Sequence, residues 1–371
     1  AVVFPGPRAA GKRAYSHLTF RQLNELCDRY ARGMDGYGIK RGMKTLLFVT
    51  PGLDFIALVF AIFKIGAIPV LIDPGMGVDR MLECIRHVSP EALVGVPKAH
   101  FLKMLKRSAF RSVKRSVTVG RKWLPWSGTT LAKIASQSAD PYPVADTTRD
   151  ELAAILFTTG STGPAKGVCY THGIFGAQTE VLRDFFHLGE HDIDLPGFPL
   201  FGLFTVAMGC TSCIPDMDPT RPAHIDPRKF IELIEDQGPT YSFGSPALWR
   251  TLTAYCLEHG VTFPTLKQVT MSGAPAPGRL LKDMRTVLPH AETFTPYGAA
   301  ESLPAAIVSG SEVLSETWEM TRAGAGTCVG KPLDCVECRI VRITDDPIET
   351  WSDELLVGDG EIGEICFRGE V

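Results

Sequence analysis

A run of hydroxyl and glycine residues in front of a lysine is the segment best suited to bind phosphate. The apolar run 153–157 reads as a strand, and it is followed by Thr158, Thr159, Gly160, Ser161, Thr162, Gly163, Pro164, Ala165 and Lys166. Glycines let backbone N–H groups approach phosphate oxygens, hydroxyls add donors, and a lysine supplies a point charge. A flexible turn is the alternative, but such a turn rarely combines these residue types. We therefore interpret the segment as a phosphate loop, although Lys166 precedes Gly167 and the common Gly-Lys-Ser/Thr order is absent.

Two further segments carry groups suited to a nucleotide. Residues 295–301 read Thr-Pro-Tyr-Gly-Ala-Ala-Glu. The flat ring of Tyr297 can stack on a flat base, and the carboxylate of Glu301 is a ligand that Mg²⁺ prefers. The turn Gly273, Ala274 and Pro275 is as compatible with a plain proline-containing turn as with a binding site.

In this order, the three segments resemble those of the adenylate-forming superfamily, which includes acyl-CoA synthetases, luciferases and peptide-synthetase adenylation domains. The resemblance implies an enzyme that uses ATP and Mg²⁺ to activate a carboxylic acid. It implies that residues 158–163 and Lys166 bind the phosphates, with Thr162 and Lys166 also acting in catalysis. It places Gly273, Ala274 and Pro275 beside adenine and the acyl carbonyl. It further implies that Tyr297 and Gly298 contact adenine and that Glu301 and Thr162 hold Mg²⁺.

Ala300 departs from the pattern of the superfamily, which has Thr at this place beside the α-phosphate. One phosphate donor is therefore missing, and the loss of such a donor costs on the order of 10²–10³ in rate. Ser302 is the nearest hydroxyl that could replace it.

An aromatic stretch predicts the pocket for the acid. Residues 195–204 contain three phenylalanines and no cation that would hold an amino group or a second carboxylate. A long alkyl chain suits such a wall, because each buried CH₂ contributes about 0.8 kcal/mol. Ordinary core packing is the alternative. The predicted pocket residues are Phe198, Phe201, Phe204, Phe243 and Gly244.

Two pieces resemble one subfamily, the β-lactone synthetases of bacterial long-chain olefin biosynthesis. They are residues 198–201 and the run 214–222, Ile-Pro-Asp-Met-Asp-Pro-Thr-Arg-Pro. The alternative interpretation of this run is an ordered surface loop. The resemblance implies adenylation of a long-chain 2-alkyl-3-hydroxy fatty acid, closure to a β-lactone, and assembly with other enzymes of the olefin pathway. The alternatives are a fatty acyl-CoA or acyl-AMP ligase, and a nucleotide-binding module with little catalysis.

Alternating helical and strand-like periodicity predicts a layered α/β fold with mostly parallel, buried sheets. We expect a first α/β lobe over 1–150, a second with the phosphate loop over 151–310, and an incomplete β-rich lobe over 311–371. Thr19 is expected to cap a helix over 18–34. The chain ends inside a strand-like segment, so we expect truncation, and the superfamily's small mobile C-terminal domain is absent from the 371 residues.

Composition narrows the class of protein. The net charge of −3 carries no footprint of nucleic-acid binding, and the basic stretch from Lys103 to Lys122 is expected to be a solvated face rather than a docking surface. Ten cysteines without regular spacing, including a lone CxxC at Cys335 and Cys338, indicate thiols in a reducing cytoplasm. The apolar run 55–63 is too short to span a membrane and predicts a buried helix.

Overall fold

The computed structural model describes residues 1–9, 11–135, 140–157 and 166–371. The predicted phosphate-loop residues Thr158, Thr159, Gly160, Ser161, Thr162 and Gly163 lie outside the described residues, whereas Lys166 lies within them.

Strands and helices alternate along the described chain. The strands are β1 (Val2–Ala9), β2 (Lys12–Leu18), β3 (Lys44–Phe48), β4 (Ile68–Ile72), β5 (Ala92–Gly95), β6 (Arg115–Thr118), β7 (Thr129–Thr130), β8 (Leu152–Phe157), β9 (Gly167–Thr171), β10 (Ile193–Pro196), β11 (Thr211–Cys213), β12 (Tyr241–Gly244), β13 (Gln268–Met271), β14 (Glu292–Ala299), β15 (Ser302–Ser309), β16 (Lys331–Pro332), β17 (Val336–Val341) and β18 (Glu364–Gly369). The main helices are α1 (Phe20–Tyr37), α2 (Leu53–Ile65), α3 (Val78–Val88), α4 (Pro97–Leu105), α5 (Leu131–Ala135), α6 (His172–Phe186), α7 (Gly202–Ala207), α8 (Pro227–Gln237), α9 (Pro246–His259) and α10 (Gly278–Val287).

Two mostly parallel sheets confirm the predicted layered α/β class. The first has seven strands in the order β7-β6-β5-β3-β4-β8-β9, and only the β8–β9 pair is antiparallel. The second has nine strands in the order β16-β15-β14-β13-β12-β10-β11-β1-β2. Its central strands from β1 to β14 are parallel, and β2, β15 and β16 run antiparallel to their neighbours. Helices cover the sheets because strands buried on both faces need apolar partners on each side.

Local sequence signals set several helix ends. Thr19 accepts a hydrogen bond from the backbone of Gln22, and the Gln22 side chain accepts one from the Thr19 backbone, so a capping box begins α1. Gly38 ends the helix at a φ of 97°, a left-handed conformation that favours glycine. Helix α2 is buried along most of its length, as the run 55–63 predicted. None of the helices in the described part of the chain has the length and apolar character that crossing a membrane requires.

The strands do not divide between the sheets at residue 150. The hairpin β1–β2 belongs to the second sheet, and β8 and β9 belong to the first. Residues 310–325 of the expected β-rich lobe form short helical turns, after which β17 and β18 pair as a separate two-stranded sheet. Pairing of distant strands is not encoded in local periodicity, so sheet membership needs the tertiary structure.

A carboxylic acid lies fully buried within the second sheet. Asp194 on β10 is 1% exposed, and its Oδ2 accepts a 2.6 Å hydrogen bond from the Thr205 hydroxyl on α7. Its Oδ1 has no partner within the described residues. Burial raises the pKa of Asp194 to about 7, against which the Thr205 hydrogen bond acts only in part. The buried carboxyl group is therefore held with its proton over much of the acidic range.

Asp194→Asn should remove a loss of stability that the wild-type protein undergoes as pH rises. The native protein keeps a proton that the unfolded chain loses above the ordinary pKa of 3.8, so stability is lost as pH rises toward 7. The neutral amide does not titrate and can still accept from Thr205. We expect the unfolding free energy of the variant, relative to wild type, to increase between about pH 4 and pH 7.5 by on the order of a few kcal/mol. Urea titrations across this range measure it, with the exposed Asp79→Asn as control; a difference independent of pH would contradict the assignment.

Candidate active site

The carboxyl ends of parallel strands in the second sheet open into one cavity. Strands β10, β12 and β13 run in the same direction, so the segments that follow them meet at one edge of the sheet. A cavity of about 530 Å³ lies here, and its lining includes Gly197, Ser245 and Gly273, which follow these three strands. Asp73 and Leu156 from the first sheet also line it. The cavity therefore lies between the two sheets.

A chain of aromatic rings forms one wall of the cavity. Phe201 stacks on Phe243 with ring centroids 3.7 Å apart, and its ring also contacts those of Phe198 and Phe204 at 6.0 and 5.9 Å. All four were predicted as pocket residues, and all four line the cavity. Phe175 on α6 extends the wall from Phe204. The wall is apolar and suits a long alkyl chain.

The turn between β14 and β15 brings a second group of predicted residues to the same cavity. Gly298 and Ala300 line it together with Gly273. The register of β14 and β15 shifts between Tyr297 and Ala299, and a Cβ atom on Gly298 would collide with the carbonyl oxygen of Ser302. Gly273 adopts a φ of 88° just after β13. Glycine is therefore required at both places, once for close backbone approach and once for a left-handed conformation.

Two buried side chains of the first sheet and its helix hold this turn in place. The hydroxyl of Tyr170 on β9 donates to the carbonyl oxygen of Ala300. The side chain of Gln178 on α6 donates to the carbonyl oxygen of Leu303 at 2.7 Å. Burial raises the pKa of Tyr170, and the nearby Glu301 carboxylate adds to the effect. Since β9 follows the phosphate loop directly, these bonds link the loop's end to the turn.

Lys166 lies at the start of β9, where Gly167 pairs with Phe157 across the antiparallel hairpin. The side chain of Lys166 is exposed, and a Cβ atom on Gly167 would lie 2.7 Å from the Phe157 ring. Glycine therefore lets the two strands approach at the base of the loop. Leu156, the neighbour of Phe157 on β8, lines the cavity, whereas Lys166 is not among the lining residues.

The other predicted site residues lie beside the described lining. Gly244 lies between Phe243 and Ser245 but is not among the lining residues, and a Cβ atom on it would lie 3.0 Å from the Trp249 indole nitrogen. The remaining ones are exposed: Ala274, Pro275, Tyr297 and Glu301. The ring of Tyr297 has one aromatic neighbour in the described residues, Phe367 on β18, with centroids 6.0 Å apart.

These residues fit a nucleotide with its metal ion. The exposed ring of Tyr297 leaves surface for a base, and the open space at Gly273 leaves room for a ligand beside the backbone. Glu301 supplies one carboxylate, and the described residues hold no cluster of three or more metal-ligating side chains. Mg²⁺ commonly binds through one or two carboxylates plus phosphate oxygens and water, so a single carboxylate is sufficient for an ion that arrives with ATP.

Sequence reasoning did not single out Tyr170, Phe175 and Gln178, nor a role for the run 214–222. The sequence does contain a signal for Gln178, because it is a polar residue next to Ala177 on the buried face of α6. Pro219, Thr220 and Pro222 line the cavity. The run is thus an ordered part of the pocket wall, held by Asp216, which accepts hydrogen bonds from Arg13 and Lys229.

Comparison with known proteins identifies the family to which this arrangement belongs. The family model described as AMP-binding enzyme matches residues 1–371. The chain belongs to the AMP-binding enzyme family. It is 45% identical to an olefin β-lactone synthetase of Stenotrophomonas maltophilia and 43% identical to one of Xanthomonas campestris, in each case over 100% of the chain and 66% of the relative. The chain thus spans slightly less than two thirds of the length of these relatives.

Solved structures show the same fold as this AMP-binding enzyme. A long-chain-fatty-acid–CoA ligase from Archaeoglobus fulgidus superposes with a TM-score of 0.79 at 19% identity, covering 100% of the chain and 71% of the ligase. All ten cysteines are unpaired thiols, including Cys335 and Cys338 of the CxxC.

Tyr170→Phe should weaken nucleotide binding without unfolding the enzyme. Removal of the hydroxyl leaves the Ala300 carbonyl without its donor and loosens the turn that carries Tyr297 and Glu301. The loss of one such hydrogen bond is worth about 1 kcal/mol, so we expect the Kd for AMP to rise about fivefold. Calorimetric titration measures it. Tyr15→Phe, which removes a hydroxyl bonded to Asp236 instead, is the matched control; equal Kd values for the two variants would rule out the tether.

Proposed function

We propose that the protein uses ATP and Mg²⁺ to adenylate a long-chain 2-alkyl-3-hydroxy fatty acid and then closes the acyl-adenylate to a β-lactone. One observation carries most of this proposal: a single cavity joins an aromatic chamber to Gly273, Gly298 and Ala300 of the candidate nucleotide site. The relatives above 40% identity are named olefin β-lactone synthetases, which supports the choice of product.

The first step makes a good leaving group from a poor one. An oxygen of the substrate carboxylate attacks the α-phosphorus of ATP, the bond from this phosphorus to the bridging oxygen breaks, and pyrophosphate leaves with the electron pair. Lys166 and the hydroxyls of residues 158–162 would hold the phosphates. Mg²⁺, held by Glu301 and Thr162, would supply positive charge that neutralises the departing pyrophosphate.

The second step needs no further substrate. The 3-hydroxyl oxygen attacks the acyl carbon, the bond from this carbon to the AMP oxygen breaks, and the hydroxyl proton passes to a phosphate oxygen of the departing AMP. Because the hydroxyl is tethered two carbons from the acyl group, its entropy of association is already lost. The aromatic wall around Phe198, Phe201 and Phe204 would keep water away from the adenylate.

The cysteine thiols and the solubility of the product indicate where the enzyme works. The ten unpaired thiols suit a reducing compartment, so we place the activity in the cytoplasm. A long-chain lactone is poorly soluble, which favours assembly with the enzymes that supply the hydroxy acid and consume the product.

Glu301→Gln should abolish most Mg²⁺-dependent turnover. The amide keeps the size of the side chain but loses the negative charge that holds the cation, so we expect pyrophosphate release to fall roughly 10²–10³-fold. The thermal midpoint should stay unchanged, because the side chain is exposed. Glu316→Gln, also exposed, is the matched control. Full turnover in Glu301→Gln would remove this residue from the site.

The product distinguishes the lactone synthetase from its alternatives. We expect the full-length protein, given ATP, Mg²⁺ and a 2-alkyl-3-hydroxy acid, to form a β-lactone, detected by mass spectrometry, with or without CoA. The matched acid without the 3-hydroxyl should stop at acyl-AMP or hydrolyse. An acyl-CoA thioester in place of the lactone would identify a CoA ligase. If the reaction of the hydroxy acid stops at acyl-AMP, the protein is an acyl-AMP ligase. If neither acid gives pyrophosphate, the protein is a nucleotide-binding module.

A further inference from the structure

One part of the first sheet concentrates positive charge. Residues 92–122 contain nine Lys and Arg and no Asp or Glu, although the whole chain has a net charge of −3. No Lys or Arg from 98 to 122 forms an ion pair within the described residues. Elsewhere surface cations do find carboxylates, as Arg13 and Lys229 find Asp216. The segment is therefore an uncompensated basic surface.

Large apolar side chains are exposed on the same segment. Phe101 and Leu105 lie one turn apart on α4, so they share a face of the helix. Trp123 and Leu124 follow β6, and the side chains of Leu105 and Trp123 are among the most exposed apolar groups, at 60% and 65%. Single exposed apolar residues are ordinary, but four among unpaired cations need a partner that is both apolar and anionic. We call Phe101, Lys103, Leu105, Arg107, Trp123 and Leu124 the basic-aromatic surface.

A basic cavity adjoins part of this surface, because Lys103, Arg107 and Leu124 are among the residues that line it. It has a volume of about 590 Å³, and Lys103 and Arg107 from one side face Leu124 and Trp126 from the other. Its described lining contains no carboxylate. Lys103 is half-buried and donates to the Ser116 hydroxyl at 2.7 Å, and burial lowers the pKa of its ammonium group. A half-buried cation with only a neutral partner leaves space and charge for an anionic group.

We propose that the basic-aromatic surface docks on an anionic phospholipid bilayer, with Lys103 and Arg107 holding lipid phosphate and with Phe101, Leu105, Trp123 and Leu124 entering the headgroup region. Tryptophan prefers this interface because its ring is apolar and its N–H is polar, and cations nearby are attracted to anionic lipid. Exposed leucine and phenylalanine have no role on a nucleic-acid backbone, and a folded acidic protein would give the cavity no mobile phosphate. A bilayer supplies both the apolar layer and the phosphates.

The position of this surface makes the proposal independent of the active site. Strands β6 and β7 form one edge of the seven-stranded sheet, and β8 and β9, which flank the phosphate loop, form the other. The enzyme could therefore rest on a bilayer with its cavity accessible. Substitutions at the basic-aromatic surface should leave pyrophosphate release from a water-soluble acid unchanged, which provides a check on folding.

Vesicle flotation tests the proposal. We expect the protein to float with phosphatidylglycerol–phosphatidylcholine vesicles, weakly or not at all with phosphatidylcholine alone, and less as salt increases. Lys103→Gln with Arg107→Gln should lower the affinity roughly tenfold or more, because each cation near an anionic surface contributes substantially. The matched control is Arg279→Gln with Lys282→Gln, two exposed cations on α10. No flotation with anionic vesicles, or equal loss in both pairs of variants, would overturn the proposal.

Trp123 gives a second readout. Brominated phosphatidylglycerol should quench part of the protein's fluorescence, and Trp123→Phe should remove that part, since a ring in the headgroup region lies near the bromine atoms. Quenching that is the same in Trp123→Phe contradicts insertion. So would retention of the protein on a single-stranded oligonucleotide or an acidic polypeptide at salt concentrations that release it from anionic vesicles, which would assign the surface to that partner.

Discussion

The hydrogen bond from the Tyr170 hydroxyl to the Ala300 carbonyl is the contact on which the candidate site depends. Strands β8 and β9, which flank the proposed phosphate loop in the sequence, belong to the first sheet, and the turn with Tyr297 and Glu301 belongs to the second, so the proposed nucleotide site draws on both sheets. Tyr170 lies on β9, the strand that follows this loop in the sequence, and its bond ties β9 to the turn. Because burial raises the pKa of Tyr170, the hydroxyl keeps its proton and remains a donor across the physiological range.

The same side chain begins the aromatic wall. The Tyr170 ring stacks on Phe175 with centroids 4.7 Å apart, and Phe175 contacts Phe204. One residue therefore contacts the turn after β14 with its hydroxyl and the aromatic wall with its ring. A shift of Tyr170 would move both, which would couple the position of the acid to that of the phosphates in the proposed reaction. Coupling of this kind suits a reaction in which a carboxylate must lie in line with a phosphorus atom.

Several features could be predicted from sequence because their causes are local. Thr19 and Gln22 are three residues apart, so their capping box is visible in the sequence, and the run 55–63 is apolar throughout. Phe198, Phe201 and Phe204 lie close together in one apolar stretch of the sequence, and they share the cavity. The contacts of Tyr170 and Gln178 join residues 125 or more positions apart, and no local pattern encodes such a pairing. For the same reason, the local sequence does not predict that β1 and β2 belong to the second sheet.

The position of β2 in the second sheet helps to hold the cavity wall in place. Arg13 on β2 and Lys229 on α8 both donate to Asp216, and the Lys229 bond is the main reason that the pKa of Asp216 is lowered. Asp216 begins the turn that carries Pro219 and Thr220 into the cavity lining, so two cations from distant parts of the chain fix a loop at the acyl pocket. Asp218 stiffens it further by accepting from the backbone and hydroxyl of Thr220. A loop anchored this way keeps its shape when a ligand enters, because its ion pairs and turn bonds are already made. The run that carries the subfamily resemblance is thus an anchored part of the cavity wall.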